Sequence, residues 1–173
     1  MLYYGDEIGM ADVDVPLSLR RDTATLDRGT DGNRDRARTP MPWDDSPGRG
    51  FTAPGVTPWL PMTSQACNVA GQRADHGSVL WLCKRLLALR RAEHGGSVAD
   101  YQELPAAEGQ WAYRVGSLLV AANLSARPAD LPAAVSAAAG EMLLTASGAP
   151  PSAAPSTLGP WEGIIARISP TAT

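Results

Sequence analysis

The residues best suited to chemistry stand together in one arginine-rich run, Asn33-Arg34-Asp35-Arg36-Ala37-Arg38-Thr39-Pro40-Met41-Pro42-Trp43-Asp44. Arg34 is the strongest candidate for binding, because a guanidinium presents a rigid planar fork of donors to hydroxyl groups and carboxylates and stays charged at any working pH. A structural ion pair, for example with Asp35 or Asp6, is the alternative. The two prolines of the run fix the local backbone and remove N–H donors, which suits a rigid, non-helical lining of a site.

For the other polar and aromatic residues near this run we favour structural roles. Asp6 and Glu7 could form a catalytic pair, but neighbours on an extended segment point to opposite faces, so we expect them to cap loops or to pair with arginines. Arg36 and Arg38 are expected to neutralise acids close in sequence, and Asp44 to form a turn. We expect the aromatic residues near the run to be buried as loop anchors rather than to stack on a ligand ring. These residues are Tyr4, Trp43, Phe51 and Trp59.

Composition and charge exclude several classes of protein. A chain of 173 residues with 44% hydrophobic content is able to bury a core, and a net charge of −3 without a basic patch argues against a nucleic-acid partner.

Cys67 and Cys83 lack CxxC spacing, so we expect reduced thiols. His76 and His94 are expected at the surface. The sequence holds no nucleotide-binding or metal-binding motif and no run of 18 apolar residues, which predicts no cofactor, no metal, no membrane partner and a cytoplasmic location.

The elements that position these residues begin with a helix predicted from about Val79 to His94. Ser78 or Asp75 is expected to accept hydrogen bonds from its first N–H groups, and Gly95-Gly96 to end it. Its apolar residues fill roughly half of the helix circumference, so the helix needs a sheet or barrel beneath it. We call them the apolar stripe, and they are Val79, Leu80, Leu82, Cys83, Leu86, Leu87 and Leu89.

Beyond this helix the hydrophobic pattern changes to the alternation of strands. Only nine of the 33 charged side chains lie after residue 94, which places a domain boundary near residues 94 to 97. Residues 111 to 124 predict a β-hairpin with the two-residue turn Gly116-Ser117. Further strands are predicted at residues 141 to 146 and 163 to 169, a weaker one near 98 to 104, and a long loop over 146 to 160.

Three more motifs stand in a fixed order around the arginine-rich run. They are Leu2-Tyr3-Tyr4-Gly5-Asp6-Glu7-Ile8-Gly9-Met10, then Gly50-Phe51 through Pro58-Trp59-Leu60-Pro61, then Asn68-Val69-x-x-Gln72-x-x-Asp75-x-x-Ser78 leading into Leu86-Leu87-Ala88-Leu89-Arg90. Together with the run, which is similar to Gly-Arg-Asp-x-x-Arg-Thr-Pro-Met-x-Trp-Asp, this order resembles the α-glucosidases of glycoside hydrolase family 13, in the oligo-1,6-glucosidase and trehalose synthase-like branch. Asn33 stands where that pattern often has Gly.

The resemblance implies an α+β fragment. Residues 1–95 would supply the last strand, rim loops and final helix of a (β/α)8 barrel, and residues 96–173 an antiparallel β-sandwich domain. In the family, the nucleophilic Asp, the acid/base Glu and a third carboxylate all precede the Tyr-Tyr-Gly-Asp-Glu motif, so we expect them upstream of Met1 and assign no catalytic residue here. Arg34 matches the arginine that reaches the bound non-reducing glucose in the family, and it is the one substrate-binding residue assigned.

Two functions of different classes follow. The first is the C-terminal part of a retaining α-glucosidase, which acts on α-glucoside oligosaccharides only together with a barrel polypeptide encoded upstream, so the isolated chain is expected to be inactive. The second is a noncatalytic remnant or a carbohydrate-associated β-sandwich module. An uncovered apolar stripe would invite aggregation or a partner. The specificity for the α-1,4, α-1,6 or α,α-1,1 linkage stays open, because the loops that decide it lie outside this sequence. The choice between hydrolysis and transglycosylation stays open as well.

Overall fold

A computed structural model describes residues 2–22, 34–63, 67–94, 100–147 and 152–169. The chain divides into two compact units, Met1–Cys83 and Lys84–Thr173. The division falls inside a long helix rather than after it. The domain limits 1–95 and 96–173 therefore stay a prediction.

The first unit is built from short helical turns and extended loops. Its elements are 3-10 helices at Asp6–Ile8, Leu17–Leu19 and Arg34–Ala37, helix α1 at Val69–Ala74 and the start of helix α2 at Val79–His94. A small apolar cluster joins them, in which Ile8, Met41 and Val69 are buried. Three of the sequence motifs thus contribute one buried side chain each to the same core. They are the first motif, the arginine-rich run and the motif that begins at Asn68.

The described residues of the first unit form no strand. A parallel barrel strand is held by hydrogen bonds to neighbouring strands. The backbone of the first motif bonds locally instead, with Asp6 N–H donating to Tyr3 O at 3.1 Å and Met10 N–H to Gly5 O at 3.0 Å. The first motif thus forms a turn followed by a 3-10 helix, and the barrel strand in the predicted fold class stays a prediction.

Gln72 connects the first motif to the start of α2. Its Nε2 donates to the Ile8 carbonyl at 2.7 Å, and its Oε1 accepts from the Leu80 N–H at 3.0 Å. Ser78 Oγ donates to the Gln72 carbonyl at 2.9 Å. The predicted cap by Ser78 or Asp75 is therefore wrong: the side-chain acceptor at this helix start is Gln72, because the Ser78 hydroxyl is turned back to α1.

Helix α2 has the predicted bounds, Val79–His94. None of its side chains from residue 79 to 93 is buried, and three members of the apolar stripe are exposed, with Val79 at 41%, Leu86 at 37% and Leu87 at 43%. The sheet or barrel that so broad a stripe needs is thus not supplied by the described residues. The predicted helix stop Gly95-Gly96 lies outside them.

The second unit contains a five-stranded antiparallel sheet. Its strands are β1 (Tyr101–Glu103), β2 (Gln110–Val115), β3 (Leu118–Asn123), β5 (Ala139–Thr145) and β7 (Gly163–Ile168), in the order β1-β2-β3-β7-β5. The predicted hairpin is confirmed, since Val115 pairs with Leu118 across the turn Gly116-Ser117. Gly116 has a φ of 56°, the left-handed conformation that such turns require. The strands predicted near 141 to 146 and 163 to 169 also form, and the weaker one forms as β1, although residues 98 and 99 lie outside the described part.

A thinner layer covers one face of this sheet. It consists of the short strands β4 (Ala129–Asp130) and β6 (Thr157–Leu158), which pair with each other, and helix α3 (Ala133–Ala138). Leu131, Val135 and Leu158 from this layer are buried against Ala121 and Ile164 of the sheet. The predicted loop over 146 to 160 is thus interrupted by β6. The β-sandwich stays a prediction, because this layer is a two-stranded ribbon with one helix.

Replacing Gln72 tests the connection between the first motif and α2. Gln72→Leu leaves the Leu80 N–H without its side-chain acceptor and removes one donor to Ile8, so we expect the free energy of unfolding to fall by about 1–3 kcal/mol. Urea unfolding followed by circular dichroism measures this change. Gln102→Leu, on the exposed strand β1, is the matched control, and equal effects of the two substitutions would contradict the assigned role.

Candidate functional site

Arg34 opens the 3-10 helix Arg34–Ala37 and is held by Asp22. Its Nε donates to Asp22 Oδ2 at 2.8 Å and its Nη2 to Asp22 Oδ1 at 2.8 Å, while its backbone N–H donates to Oδ2 at 3.1 Å. The Asp22 side chain is 2% exposed and that of Arg34 is 62% exposed. The hydrogen bonds to Asp22 and its charge raise the pKa of Arg34. A structural ion pair was the alternative for Arg34, and it exists, but with Asp22 rather than with Asp35 or Asp6.

A second buried carboxylate fixes the first. Asp35 is 1% exposed, and its Oδ2 accepts from the backbone N–H groups of Arg21 at 2.6 Å and Asp22 at 2.8 Å. Asp35 thus fixes the backbone at Asp22. The Asp22 carboxylate in turn fixes the guanidinium of Arg34, the residue directly before Asp35. We call these three residues, Asp22, Arg34 and Asp35, the aspartate–arginine brace.

The other two arginines of the run also lie near acids, but only Arg38 lies near an acid close in sequence, as predicted. Arg36 Nη2 is 3.2 Å from Asp14 Oδ1, and Arg38 Nη1 is 3.9 Å from Asp35 Oδ1. The Asp14 side chain is 98% exposed, so its pair with Arg36 is a weak surface contact. Of the three arginines, only Arg34 makes a bidentate contact to a buried carboxylate.

One edge of the Arg34 guanidinium remains available to a ligand. The bonds to Asp22 use Nε and Nη2, and Nη1 donates no hydrogen bond to any described residue. A guanidinium carries five N–H donors in a fixed fork, so the pair with Asp22 leaves donors that point away from it. The brace therefore orients Arg34 without consuming its binding capacity.

Asp6 and Glu7 are occupied by the backbone beside them. Asp6 Oδ2 accepts from the Tyr3 N–H at 2.7 Å, and Glu7 Oε2 from the Gly5 N–H at 3.1 Å. Gly5 has a φ of 92°, and a Cβ there would lie 2.8 Å from the Cβ of Met10, so this turn requires glycine. The segment is a 3-10 helix rather than extended, but the favoured role of the two acids is confirmed: they cap a turn.

The aromatic residues around the run are not buried. Tyr4, Trp43, Phe51 and Trp59 are each between 44% and 54% exposed, so their predicted role as buried loop anchors is wrong for the chain described here. The loop of Trp43 buries the preceding Met41 and Pro42 instead. Stacking on a ligand, the alternative for these residues, is compatible with their exposure.

Asp44 is a turn-former, as predicted. Its Oδ1 accepts from the Ser46 N–H at 2.9 Å and from Ser46 Oγ at 2.5 Å, and these bonds lower the pKa of Asp44. His76 is exposed and stacks on Trp81 with ring centroids 4.3 Å apart. The side chain of His94 lies outside the described part of the structure.

Among the described residues, no group of three or more His, Cys, Asp or Glu side chains is arranged to hold a metal ion. Within the same ranges, no helix combines the length and the apolar character needed to cross a bilayer.

Residues 1–96 match the family model described as the alpha amylase catalytic domain. The chain therefore belongs to the alpha-amylase family, and the resemblance seen in its motifs is confirmed. It is 33% identical to trehalose-6-phosphate hydrolase of Escherichia coli over 72% of this chain and 27% of that protein. It is 35% identical to oligo-1,6-glucosidase of Parageobacillus thermoglucosidasius over 65% of this chain and 23% of that protein.

Solved structures give the same assignment. Trehalulose synthase MutB from Pseudomonas mesoacidophila MX-45 matches 95% of this chain with a TM-score of 0.77 and 27% sequence identity. The alpha-glucosyl transfer enzyme XgtA matches 97% with a TM-score of 0.74 and 29% identity. The chain spans 34% and 32% of those two chains, and about a quarter of the length of the two curated relatives.

Sequence reasoning selected Arg34 but missed Asp22 as its partner. Asp22 stands 12 residues before Arg34, and its neighbourhood contains several other acids, so no spacing rule distinguishes it. Its burial is the property that identifies it, and burial of a single carboxylate in a loop is not visible in the sequence.

Asp22→Asn tests the brace directly. An amide in place of the carboxylate loses the charge and one of the two acceptors, so we expect the Arg34 Nε–H to exchange with solvent at least several-fold faster. Side-chain ¹⁵N NMR of the purified chain measures this rate. The Arg167 Nε–H, which lies near Glu141, serves as an internal control and should not change. An unchanged Arg34 rate would contradict the brace.

Proposed function

We propose that this chain is part of a retaining α-glucosidase that acts on the α-glucosidic bonds of oligosaccharides. The observation that carries the proposal is the orientation of Arg34, held on one edge by Asp22 and open on the other, in a chain whose relatives include oligo-1,6-glucosidase. Arg34 donates to hydroxyl groups of the terminal glucose, and its fixed charge stabilises a nearby carboxylate. Asp22 is the positioning residue for Arg34.

The catalytic carboxylates come from a barrel polypeptide outside these residues. Retaining glycosidases need two carboxyl groups about 5 to 5.5 Å apart, one as nucleophile and one as proton donor. Asp6 and Glu7 accept hydrogen bonds from backbone N–H groups of their own turn, and Asp22 and Asp35 are buried in the brace. None of these four acids is free to perform either role, so the chain supplies one wall of the site rather than its chemistry.

The apolar stripe of α2 supports a barrel polypeptide as the partner. Exposed Val79, Leu86 and Leu87 would otherwise remain in water, and burying apolar surface is worth about 25 cal/mol per Å². A curved sheet of barrel strands fits a stripe of this breadth, because the outer helices of a (β/α)8 barrel pack their apolar side on such strands. The exposed rings around the arginine-rich run are then available to line the same site.

A chimera provides the test of this function. Residues 2–173 replace the matching segment of oligo-1,6-glucosidase from Parageobacillus thermoglucosidasius, and hydrolysis of an aryl α-glucoside is measured. We expect an active chimera in which Arg34→Ala lowers kcat/KM by roughly 100-fold, the loss typical of a misplaced substrate. Arg73→Ala, at the exposed end of α1, is the matched control and should leave kcat/KM unchanged.

The isolated chain is the second arm of the experiment. It should not hydrolyse the aryl α-glucoside, because the proposed nucleophile and proton donor belong to the barrel polypeptide. Turnover by the purified chain that Arg34→Ala abolishes would contradict the proposal that the catalytic carboxylates belong to the barrel polypeptide. An active chimera that tolerates Arg34→Ala would overturn the role of Arg34.

A further inference from the structure

The second unit carries three neighbouring aromatic side chains in a row on its sheet. The ring centroids of Tyr101 and Tyr113 are 5.3 Å apart, and those of Trp111 and Tyr113 are 4.8 Å apart. We call Tyr101, Tyr113 and Trp111 the ring row. It spans the edge strand β1 and its neighbour β2, in a different compact unit from Arg34.

The sheet register explains why the three rings share a face. Side chains alternate along a strand, so Trp111 and Tyr113 point away from the face of Ala112, which is buried under the second layer. Tyr101 pairs with Val115 and Glu103 with Tyr113, which places all of them on that outer face. The ring row is thus fixed by the same pairing that forms the sheet, and needs no ligand to assemble.

The row is accessible as well as assembled. Tyr101 is 55% exposed and Trp111 is 45% exposed, while Tyr113 lies between them and is partly buried. Strand β1 is an edge of the sheet and all three of its residues are exposed. Adjacent exposed aromatic side chains of this kind mark binding surfaces more often than isolated ones do.

The charges around the row select a neutral ligand. Glu103 stands directly opposite Tyr113 in the register, whereas Arg114 alternates to the other face. Arg167, on the same face at β7, is paired with Glu93 through two hydrogen bonds of 2.9 and 3.0 Å. Binding of single-stranded nucleic acid on stacked aromatics requires a positively charged groove beside them. A carboxylate there repels phosphate but accepts hydrogen bonds from hydroxyl groups.

The rings themselves suit a hydroxyl-rich ligand that also has apolar faces. Neighbouring rings are inclined by 36° and 41°. The C–H faces of a pyranose pack on aromatic rings, and its hydroxyl groups donate hydrogen bonds to an acceptor such as the Glu103 carboxylate. The combination of adjacent rings and one acceptor suits a sugar better than an anionic ligand.

We propose that the ring row is a second carbohydrate-binding surface, which holds α-linked glucose oligomers apart from the site of Arg34. The choice of glucose oligomers as the ligand rests on the proposed function, whereas the preference for a neutral, hydroxyl-rich ligand rests on the row itself. The surface retains a longer substrate and does not take part in bond cleavage.

The test uses the purified full chain with maltoheptaose in calorimetric titration, and with amylopectin in native gels. We expect the wild-type chain to bind both, and Trp111→Ala to weaken the binding of maltoheptaose about tenfold or more. Trp161→Ala is the matched control, because Trp161 is 67% exposed in the same unit and lies outside the row. Circular dichroism should show that both variants keep the sheet.

Several outcomes would overturn this surface. The first is a wild-type chain that binds neither sugar, and the second is an equal loss of maltoheptaose affinity in Trp111→Ala and Trp161→Ala. The third is a wild-type dimer that Trp111→Ala converts to a monomer, because the ring row would then contact a second copy of the chain. A chimera that loses the binding shown by the isolated chain would assign the row to the barrel polypeptide. Binding without hydrolysis by the chimera contradicts only the proposed function, and hydrolysis without binding contradicts only the ring row.

Discussion

The brace formed by Asp22, Arg34 and Asp35 is the contact on which the candidate site depends. Both carboxylates are almost fully buried, and a buried charge is tolerated only when it is paired or hydrogen-bonded. Asp35 meets this requirement with two backbone N–H groups and Asp22 with a guanidinium. Because each residue places the next, removing one of them affects the geometry of all three.

This constraint explains how a loop without regular secondary structure presents an arginine in a defined orientation. The 3-10 helix Arg34–Ala37 is too short to hold a side chain by itself, and the guanidinium is mostly exposed. Buried anchors on either side of it, Asp22 before and Met41 after, supply the rigidity. In the second unit, side chains are placed by the strand register instead, because the pairing of β1 with β2 sets the three rings of the ring row side by side.

The parts of the fold that follow from local pattern could be predicted. Helix Val79–His94 follows from its 3.6-residue period, and the hairpin around Gly116-Ser117 from alternation and a turn residue able to adopt positive φ. Helix α3 could not be predicted, since Ala133–Ala138 is only six residues long and is stabilised by burial of Val135 in the core rather than by a period of its own.

The site was predictable only in part, for a related reason. Family-like motifs selected Arg34 as the candidate, and the chemistry of its guanidinium is the basis of its proposed role. The choice of Asp22 over Asp35 or Asp6 as its partner is made by burial between distant segments. Gln72 is a similar case, because two of its side-chain hydrogen bonds reach Ile8, which is 64 positions away, and Leu80, which is eight positions away. The exposure of Trp43 and Trp59 also went unpredicted, because no sequence pattern states which surfaces remain uncovered.

The central claim is that Asp22 acts on substrate only through Arg34, and a double-mutant cycle in the active chimera tests it most directly. The quantity measured is kcat/KM for the wild type, Asp22→Asn, Arg34→Ala and the double variant. If Asp22 positions Arg34, the double variant should be no slower than Arg34→Ala alone. Losses that multiply in the double variant would contradict the account, because Asp22 and Arg34 would then act independently.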